Sequence, residues 1–171
     1  CVTGLFTQPV ATTYNIWGQL ICMFLIQIGG LGLMTFIGVF YIQSKQKLSL
    51  RSRETILESF SYGETQSLMV FIRSIFLTTF IVEGLGAFLL SFRFVPEFGW
   101  GRGIFTSIFV AISAFCNAGF DNFGSTSLVA FQTDPLINLV LAALIITGGL
   151  GFMVWFDLAT QLSKKKRRLR F

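Results

Sequence analysis

Histidine is absent from this sequence, and charged side chains are scarce. Asp, Glu, Lys and Arg make up 12% of its 171 residues, and the three cysteines, Cys1, Cys22 and Cys116, form no CxxC pair. Zinc sites and His-based acid–base catalysis therefore lack their usual side chains. We predict that the chain is not an enzyme and carries no cofactor. A disulfide between Cys1 and Cys116 stays open as an alternative.

Apolar residues take up most of the composition. The sequence is 53% hydrophobic, includes 21 Phe, and has a mean hydropathy of +0.72. A soluble domain of this composition would expose large apolar patches and aggregate. We therefore predict an all-α membrane protein. The chain begins at Cys1, with neither a Met nor the basic start of a signal peptide, and we expect it to be a piece of a longer protein.

Three segments are long and apolar enough to cross a bilayer, and they are predicted over residues 16–42, 67–92 and 135–161. Each exceeds the roughly 20 residues that a helix needs to cross a hydrocarbon core about 30 Å thick. Asn15 is expected to cap the first helix, and Asp134 with Pro135 to begin the third. A polar loop over 44–66 separates the first two helices, and a turn-rich loop is predicted over 93–102.

A fourth apolar segment, residues 103–115, is too short to cross, because at about 1.5 Å per residue it spans only ~20 Å. The four basic residues in 45–53 and the six in 164–170 predict that both of these regions are cytoplasmic. The chain between the second and third spans must then enter and leave the membrane on the outer side. We predict a re-entrant half-helix over 103–115, followed by a loop over 116–124.

The stretch AFCNAGFDNFG, residues 114–124, has the composition of that loop. Non-helical backbone at membrane depth survives only when it is buried in protein or lines an aqueous cavity. Its carbonyl oxygens could there replace the water around a cation, which the negative C-terminal end of the half-helix also favours. Gly119 lets the backbone bend and approach an ion closely.

The chain contains two related copies of this arrangement. Cys116 and Gly119 recur as Cys1 and Gly4 at the same spacing, and LICMFLIQIGGLGLM (20–34) matches LVLAALIITGGLGFM (139–153) at eight of fifteen positions. Both copies have the same sidedness, so we predict parallel repeats of helix, pore loop and helix. The first repeat contributes residues 1–43, the second residues 67–161, and residues 162–171 form a basic cytoplasmic tail.

The motifs VTGL, IQIGGLGLMTF, SAFCNAGFDNFG and ITGGLGFMVWFDL resemble the Trk/Ktr/HKT superfamily of potassium transporters, and most closely its KtrB-type membrane subunits. The resemblance covers essentially the whole chain. It implies four helix–pore–helix repeats in one protein, of which this chain holds the end of the first and all of the second. Two filter segments of four cannot close a pore, so these residues alone are expected not to conduct.

The resemblance implies potassium uptake across a bacterial plasma membrane, with dependence on Na⁺ in some members. Backbone carbonyls of the filter would bind K⁺, and the filter residues would be Val2, Thr3, Gly4, Leu5, Asn117, Ala118, Gly119 and Phe120. The implied partners are the remaining repeats, a second membrane subunit in a homodimer, a cytosolic nucleotide-binding RCK ring and the lipid bilayer, but no nucleic acid. The alternatives are a channel or transporter for another monovalent cation such as Na⁺, or a structural membrane subunit.

Three charged residues and the two glycine clusters also call for an interpretation, and most of them allow two. Glu83 is expected to support a pore loop through hydrogen bonds, although intramembrane carboxylates are also often functional. Asp121 either concentrates cations at the outer mouth or makes an Asx-type loop contact. The glycine clusters at 29–32 and 148–151 either allow close helix packing or act as hinges. Arg73 is expected to extend toward the cytoplasmic interface.

Overall fold

The computed structural model describes residues 9–32, 65–124, 126–150 and Val154. Its elements are α1 (Val10–Thr13), α2 (Ile16–Leu31), α3 (Thr65–Phe98), α4 (Trp100–Phe115), a 3₁₀ helix (Ser127–Phe131) and α5 (Pro135–Gly149). These residues contain helices and no strand, which confirms the predicted all-α class for this part of the chain. The arrangement as repeats with a re-entrant half-helix stays a prediction.

The described residues belong to two compact units. Residues 9–32 and 79–149, apart from residue 125, form one unit, whereas residues 65–78, Leu150 and Val154 belong to the other. The contacts given in the following paragraphs lie within the first unit.

Helix α2 begins as predicted, with Asn15 as its cap. The Asn15 side chain accepts a hydrogen bond of 2.9 Å from the backbone N–H of Gly18, which satisfies one of the donors that a helix start leaves free. The helix ends at Leu31, because Gly32 adopts a φ of 80° that is incompatible with a helix. The span predicted over residues 16–42 is therefore interrupted at Gly32, and residues 33–42 lie outside the described residues.

Helix α3 contains the predicted second span. Its segment Arg73–Phe98 has a mean hydropathy of 1.9 and, by length and composition, could cross a membrane. The other three apolar helices of the described residues, α2, α4 and α5, are shorter than that. Arg73 is exposed, as expected for a side chain that reaches toward an interface.

The turn-rich loop predicted over residues 93–102 is wrong, because Gly99 alone separates α3 from α4. Pro96 lies in the last turn of α3, where the loss of one backbone donor does not end the helix. Gly99, with a φ of 80°, supplies the break instead. A methyl group on Gly103 would lie 2.6 Å from the Phe94 carbonyl oxygen, so the start of α4 packs directly on the end of α3.

Helix α4 lies at the centre of the first unit and packs against α2 and α5. It has 16 residues and buries side chains that include Phe109, Val110 and Ala111. At about 1.5 Å per residue it is ~24 Å long, shorter than the ~30 Å core of a bilayer. Its end at Phe115 agrees with the predicted half-helix, and its start at Trp100 is earlier than predicted.

Helix α5 begins at Pro135 with Asp134 as its cap, as predicted. One carboxylate oxygen of Asp134 accepts hydrogen bonds from the backbone N–H groups of Leu136 (3.0 Å) and Ile137 (3.4 Å). The other pairs with the guanidinium of Arg93 near the end of α3. Asp134 therefore ties the beginning of α5 to the end of α3.

Four phenylalanine rings join the end of α3 to the chain that follows α4. The aromatic cluster consists of Phe94, Phe98, Phe123 and Phe131, and its six ring pairs have centroid separations between 5.2 and 6.3 Å. Edge-to-face and tilted pairs at such separations add to the stabilisation from burial alone. The cluster therefore fixes the 3₁₀ helix and residue Phe123 against α3.

Candidate functional site

The loop that follows α4 is the part of the described chain with the most unusual backbone. Helical bonding closes with the N–H of Cys116 on the Ile112 carbonyl at 2.9 Å and that of Asn117 on Ala114 at 3.1 Å. Asn117 and Gly119 then have φ values of 52° and 72°. This left-handed region is open to glycine and is adopted more readily by Asn than by most other residues.

Exposure alternates along this loop. Ala118 is fully buried, whereas its neighbours Asn117 and Gly119 are exposed. Gly119 has no side chain, so the exposed surface belongs to its backbone. The loop therefore has one side fixed in protein and another side where backbone atoms of Gly119 border open space.

Ser113 of α4 holds the loop in this shape. Its carbonyl oxygen accepts a hydrogen bond of 2.8 Å from the N–H of Ala118, and its hydroxyl oxygen accepts one of 2.8 Å from the N–H of Phe120. Two turns earlier, the Thr106 hydroxyl oxygen accepts from the amide of Asn122 at 3.2 Å. Both hydroxyls are buried on α4, so the helix anchors the loop that follows it.

A cavity of about 240 Å³ lies beside the loop and is open to the outside. Asn117, Gly119, Phe120 and Asp121 line it, together with Ser113 and apolar side chains of α5 such as Leu141. Such a volume is large enough for more than one water molecule. The exposed backbone of Gly119 thus borders a space that combines polar and apolar walls.

Asp121 lines the same cavity, but both of its carboxylate oxygens have partners in the protein. One accepts a hydrogen bond of 3.0 Å from the N–H of Phe123, and the other accepts from the hydroxyl of Ser127. The first contact is the Asx-type loop contact that was one of the two interpretations of this residue. A role in concentrating cations stays a prediction.

Glu83 of α3 is buried against the start of the loop. Its carboxylate is 4% exposed and accepts two hydrogen bonds from the Gln27 amide nitrogen on α2, at 3.0 and 3.2 Å. The Cys116 thiol lies 3.9 Å from one carboxylate oxygen, a distance at which sulfur can still donate. The structure thus brings Glu83 to the first residue of the loop, and its support of a pore loop stays a prediction.

The two glycine clusters also meet the end of α4. A methyl group on Gly30 would lie 2.3 Å from the Cys116 sulfur, and one on Gly148 would lie 1.8 Å from the Phe115 carbonyl oxygen. Close packing is therefore a requirement at both positions. Helices α2 and α5 end at Leu31 and Gly149, within the same clusters, so the hinge interpretation stays open beside it.

Several predicted features lie outside the described residues. These are the first filter segment Val2, Thr3, Gly4 and Leu5, residues 44–64 of the polar loop, and the basic tail 162–171. Cys116 is a free thiol in the structure, and Cys1 is not among the described residues.

Sequence reasoning missed Gln27, Ser113 and Asn122 as parts of the site. Ser113 and Thr106 are two turns apart on α4, and this spacing on a largely apolar helix was the available signal. Gln27 is a polar amide within an uncharged apolar run, which also marks it. The residues to which Gln27 and Ser113 are hydrogen-bonded, by contrast, could not be predicted from the sequence.

Comparison with known proteins identifies relatives over the whole length of the chain. The TrkH family, described as "Cation transport protein", matches residues 1–171. The chain is 43% identical over 166 residues to the "Potassium/sodium uptake protein NtpJ" of Enterococcus hirae, which covers 97% of the chain and 37% of that protein.

Two further relatives are described as "Ktr system potassium uptake protein B". The Bacillus subtilis protein is 40% identical over 156 residues, covering 91% of the chain and 35% of that protein, and the Vibrio alginolyticus protein is 40% identical over 156 residues, covering 91% and 34%. The chain therefore spans about a third of the length of the curated relatives that it matches.

Proposed function

Because this chain belongs to the TrkH family of cation transport proteins, we propose that it is part of a membrane protein that takes up potassium ions through a filter of backbone carbonyl groups. The observation that carries the proposal is the exposed backbone of Gly119, which borders a cavity at the end of the short central helix α4. Residues Asn117–Phe120 form one filter segment.

Carbonyl oxygens are suited to this task because they replace the hydration shell of a cation without presenting a full charge. The C-terminal end of α4 carries the negative end of the helix dipole and adjoins the loop, which also favours a cation there. Ala118 is buried and Ser113 holds the loop from behind. The loop is therefore preorganised, and the protein need not reshape it when an ion enters.

A bilayer is the environment that fits the surface of the described residues. Large apolar side chains on several helices are exposed, among them Phe24 (62%), Phe80 (61%), Phe88 (60%) and Leu139 (75%). Water would make such a surface prone to aggregation, whereas lipid or further protein segments would cover it. We place the protein in the plasma membrane of a bacterium, with α4 as a re-entrant half-helix.

The complete filter requires more than this loop. We propose that Val2, Thr3, Gly4 and Leu5 form the preceding filter segment and that the two repeats are parallel, as the internal sequence match indicates. The remaining repeats of the same protein supply the other segments. The names of two relatives refer to a Ktr system, which supports a partner in the cell: a second membrane subunit and a cytosolic nucleotide-binding RCK ring.

Sodium is the alternative cargo, since the name of one relative includes both potassium and sodium. The two ions differ in the distance at which oxygen ligands bind them, so uptake measured with each ion alone and in competition separates the two candidates. A third candidate, a structural subunit, predicts no uptake of either ion by the full-length protein.

The filter assignment is tested by Gly119→Ala in the full-length protein. A side chain is strained at a φ of 72°, so the loop must leave its present shape, and we expect at least a tenfold loss of potassium uptake, which corresponds to about 1.4 kcal/mol. Uptake is measured in proteoliposomes at matched protein content.

Gly101→Ala is the matched control, because it adds the same methyl group on the exposed first turn of α4, where nothing lies within 4 Å. It should transport like the parent protein. Unchanged uptake in the Gly119 variant, with normal insertion into the membrane, would contradict the assignment of the loop to the filter.

A further inference from the structure

Three side chains connect α2 and α3 to the first residue of the loop. We propose that Gln27, Glu83 and Cys116 form a brace that sets the position of the filter loop and thereby its discrimination between potassium and sodium. This inference rests on the proposed function of the loop as a filter. It assigns a specificity-determining role to Gln27 and Cys116. It also names these two residues as the ones through which Glu83 supports the loop.

The geometry of the brace converges on Cys116. Gln27 donates to both carboxylate oxygens of Glu83, and the Cys116 thiol lies 3.9 Å from one of them. Gly30 follows Gln27 by one turn on α2 and approaches Cys116 so closely that a methyl group there would lie 2.5 Å from the Cys116 Cβ. Cys116 is therefore held between α2 on one side and the Glu83 carboxylate on the other.

Burying Glu83 costs hydration free energy that an apolar side chain at this position would not lose. A carboxyl group that is 4% exposed loses hydration, and burial of such a group is unfavourable unless hydrogen bonds replace the water. Within the described residues, the ion pair is that of Arg93 with Asp134, and the hydrogen-bonding partners of Glu83 are the neutral Gln27 and Cys116. An apolar side chain of similar volume would pack α3 more cheaply but would not orient a thiol.

Gln27 points to the same conclusion. Its amide oxygen is buried and has no hydrogen-bond partner among the described residues, whereas its amide nitrogen donates twice to Glu83. The amide is thus oriented by the carboxylate, because the reversed orientation would set an oxygen against two oxygens. The amide oxygen of Gln27 thus stays without a hydrogen bond while its amide nitrogen keeps both bonds to Glu83.

The brace adds contacts from two other helices at the point where the loop leaves the central helix. Ser113 fixes Ala118 and Phe120 from within α4 and its own loop. The contact of Cys116 fixes the point where the chain leaves α4, relative to two other helices. Because selectivity depends on where carbonyl oxygens lie and on how firmly they are held, a small shift at Cys116 alters the fit for K⁺ relative to Na⁺.

The test uses the full-length protein and compares uptake of potassium and sodium. Cys116→Ala removes the donor, and Glu83→Gln keeps one acceptor oxygen but sets an amide nitrogen where the second carboxylate oxygen accepts from Gln27. We expect each to lower the ratio of potassium to sodium uptake about three- to tenfold, the range that corresponds to the loss of one hydrogen bond. Cys116→Ser keeps a donor of similar size and should retain most of the ratio.

Two further variants show whether the residues act together. Cys116→Ala combined with Glu83→Gln should lower the ratio no further than either change alone, because both interrupt the same chain of contacts from Gln27 to Cys116. Cys22→Ala is the matched control, since Cys22 is a half-buried cysteine of α2 that belongs to no part of the brace. Its ratio should equal that of the parent protein.

The two proposals fail in different ways. A parent protein without potassium uptake, or a Gly119→Ala variant with normal uptake, removes the filter itself and the brace with it. A parent protein that is selective, with a Gly119→Ala variant that is inactive, leaves the filter standing. In that case an unchanged ratio in Cys116→Ala, or an equal loss in Cys116→Ala and Cys116→Ser, overturns the brace. The cysteine pair decides the outcome even if Glu83→Gln does not fold.

Discussion

Gly148 shows at the scale of a single residue how closely α5 approaches the end of α4. A methyl group there would lie 1.8 Å from the Phe115 carbonyl oxygen, which is backbone and cannot rotate away. Gly148→Ala must therefore separate the two helices. We expect a loss of about 1–3 kcal/mol in stability, the usual cost of overpacking, measured as a lower unfolding temperature of the full-length protein in detergent.

Gly84→Ala provides the comparison for that substitution. Gly84 lies on α3 with nothing within 4 Å of an added methyl group, and alanine is the better helix former. Its unfolding temperature should stay the same or rise slightly. Equal destabilisation by both variants would mean that glycine at position 148 is not required by close packing.

Sequence alone indicated part of the residue-scale detail. Asn15 and Asp134 were identifiable as caps because capping depends on residues only a few positions apart. The link between Gln27 and Glu83 joins residues that are 56 positions apart, and no local rule brings those two together. The same holds for Gly30 against Cys116, where only the packed structure shows which atom the missing side chain would meet.

At the scale of an element, the start of α5 depends on Asp134. Burial by itself would raise the pKa of Asp134, but hydrogen bonds from Arg93 and from the N–H groups of Ile137 and Leu136, together with the charge of Arg93, lower the pKa below its ordinary value. The ionised form is thus favoured in the folded protein. Its contribution to stability is complete above the pKa of the unfolded chain and is lost as the pH falls through the lower, folded value.

Two substitutions distinguish the contribution of Asp134 as a helix cap from that of its charge. Asp134→Asn keeps an oxygen that can cap α5 but loses the pairing with Arg93, so we expect a small drop in unfolding temperature. Asp134→Ala loses both contacts and should drop further. Unfolding temperatures between pH 3 and 6 should fall for the parent protein below about pH 4, whereas both variants should lose that part of the pH dependence. A slope that persists in both variants would assign it to another group.

The helix boundaries illustrate why elements were predicted unevenly. The end of α4 at Phe115 was foreseen because polar and glycine residues follow it at once. The junction of α3 and α4 was not, since Pro96, Gly99 and Gly101 together resemble a loop although Gly99 alone breaks the helix. The packing of the start of α4 on the end of α3 stabilises helix on both sides of Gly99. This is a tertiary contact, which local sequence patterns do not indicate.

At the scale of the whole molecule, this chain is expected not to conduct by itself. It spans 37% of the Enterococcus hirae relative, and the proposed filter needs segments from further repeats. A polypeptide of residues 1–171 in proteoliposomes should give no potassium uptake. Co-expression with the remainder of the full-length protein should restore it. Selective potassium uptake by residues 1–171 alone would contradict the four-repeat arrangement.

The junction at Gly99 has a consequence for how this protein can vary. With a single residue between α3 and α4, there is no slack in which extra length could be absorbed. One inserted residue would turn α4 by about 100° around its axis, so the buried face that includes Phe109 and Val110 would turn away from the helices that it packs against. Substitutions near Gly99 change local contacts, whereas an insertion or deletion there changes which side chains of α4 are buried along its whole length.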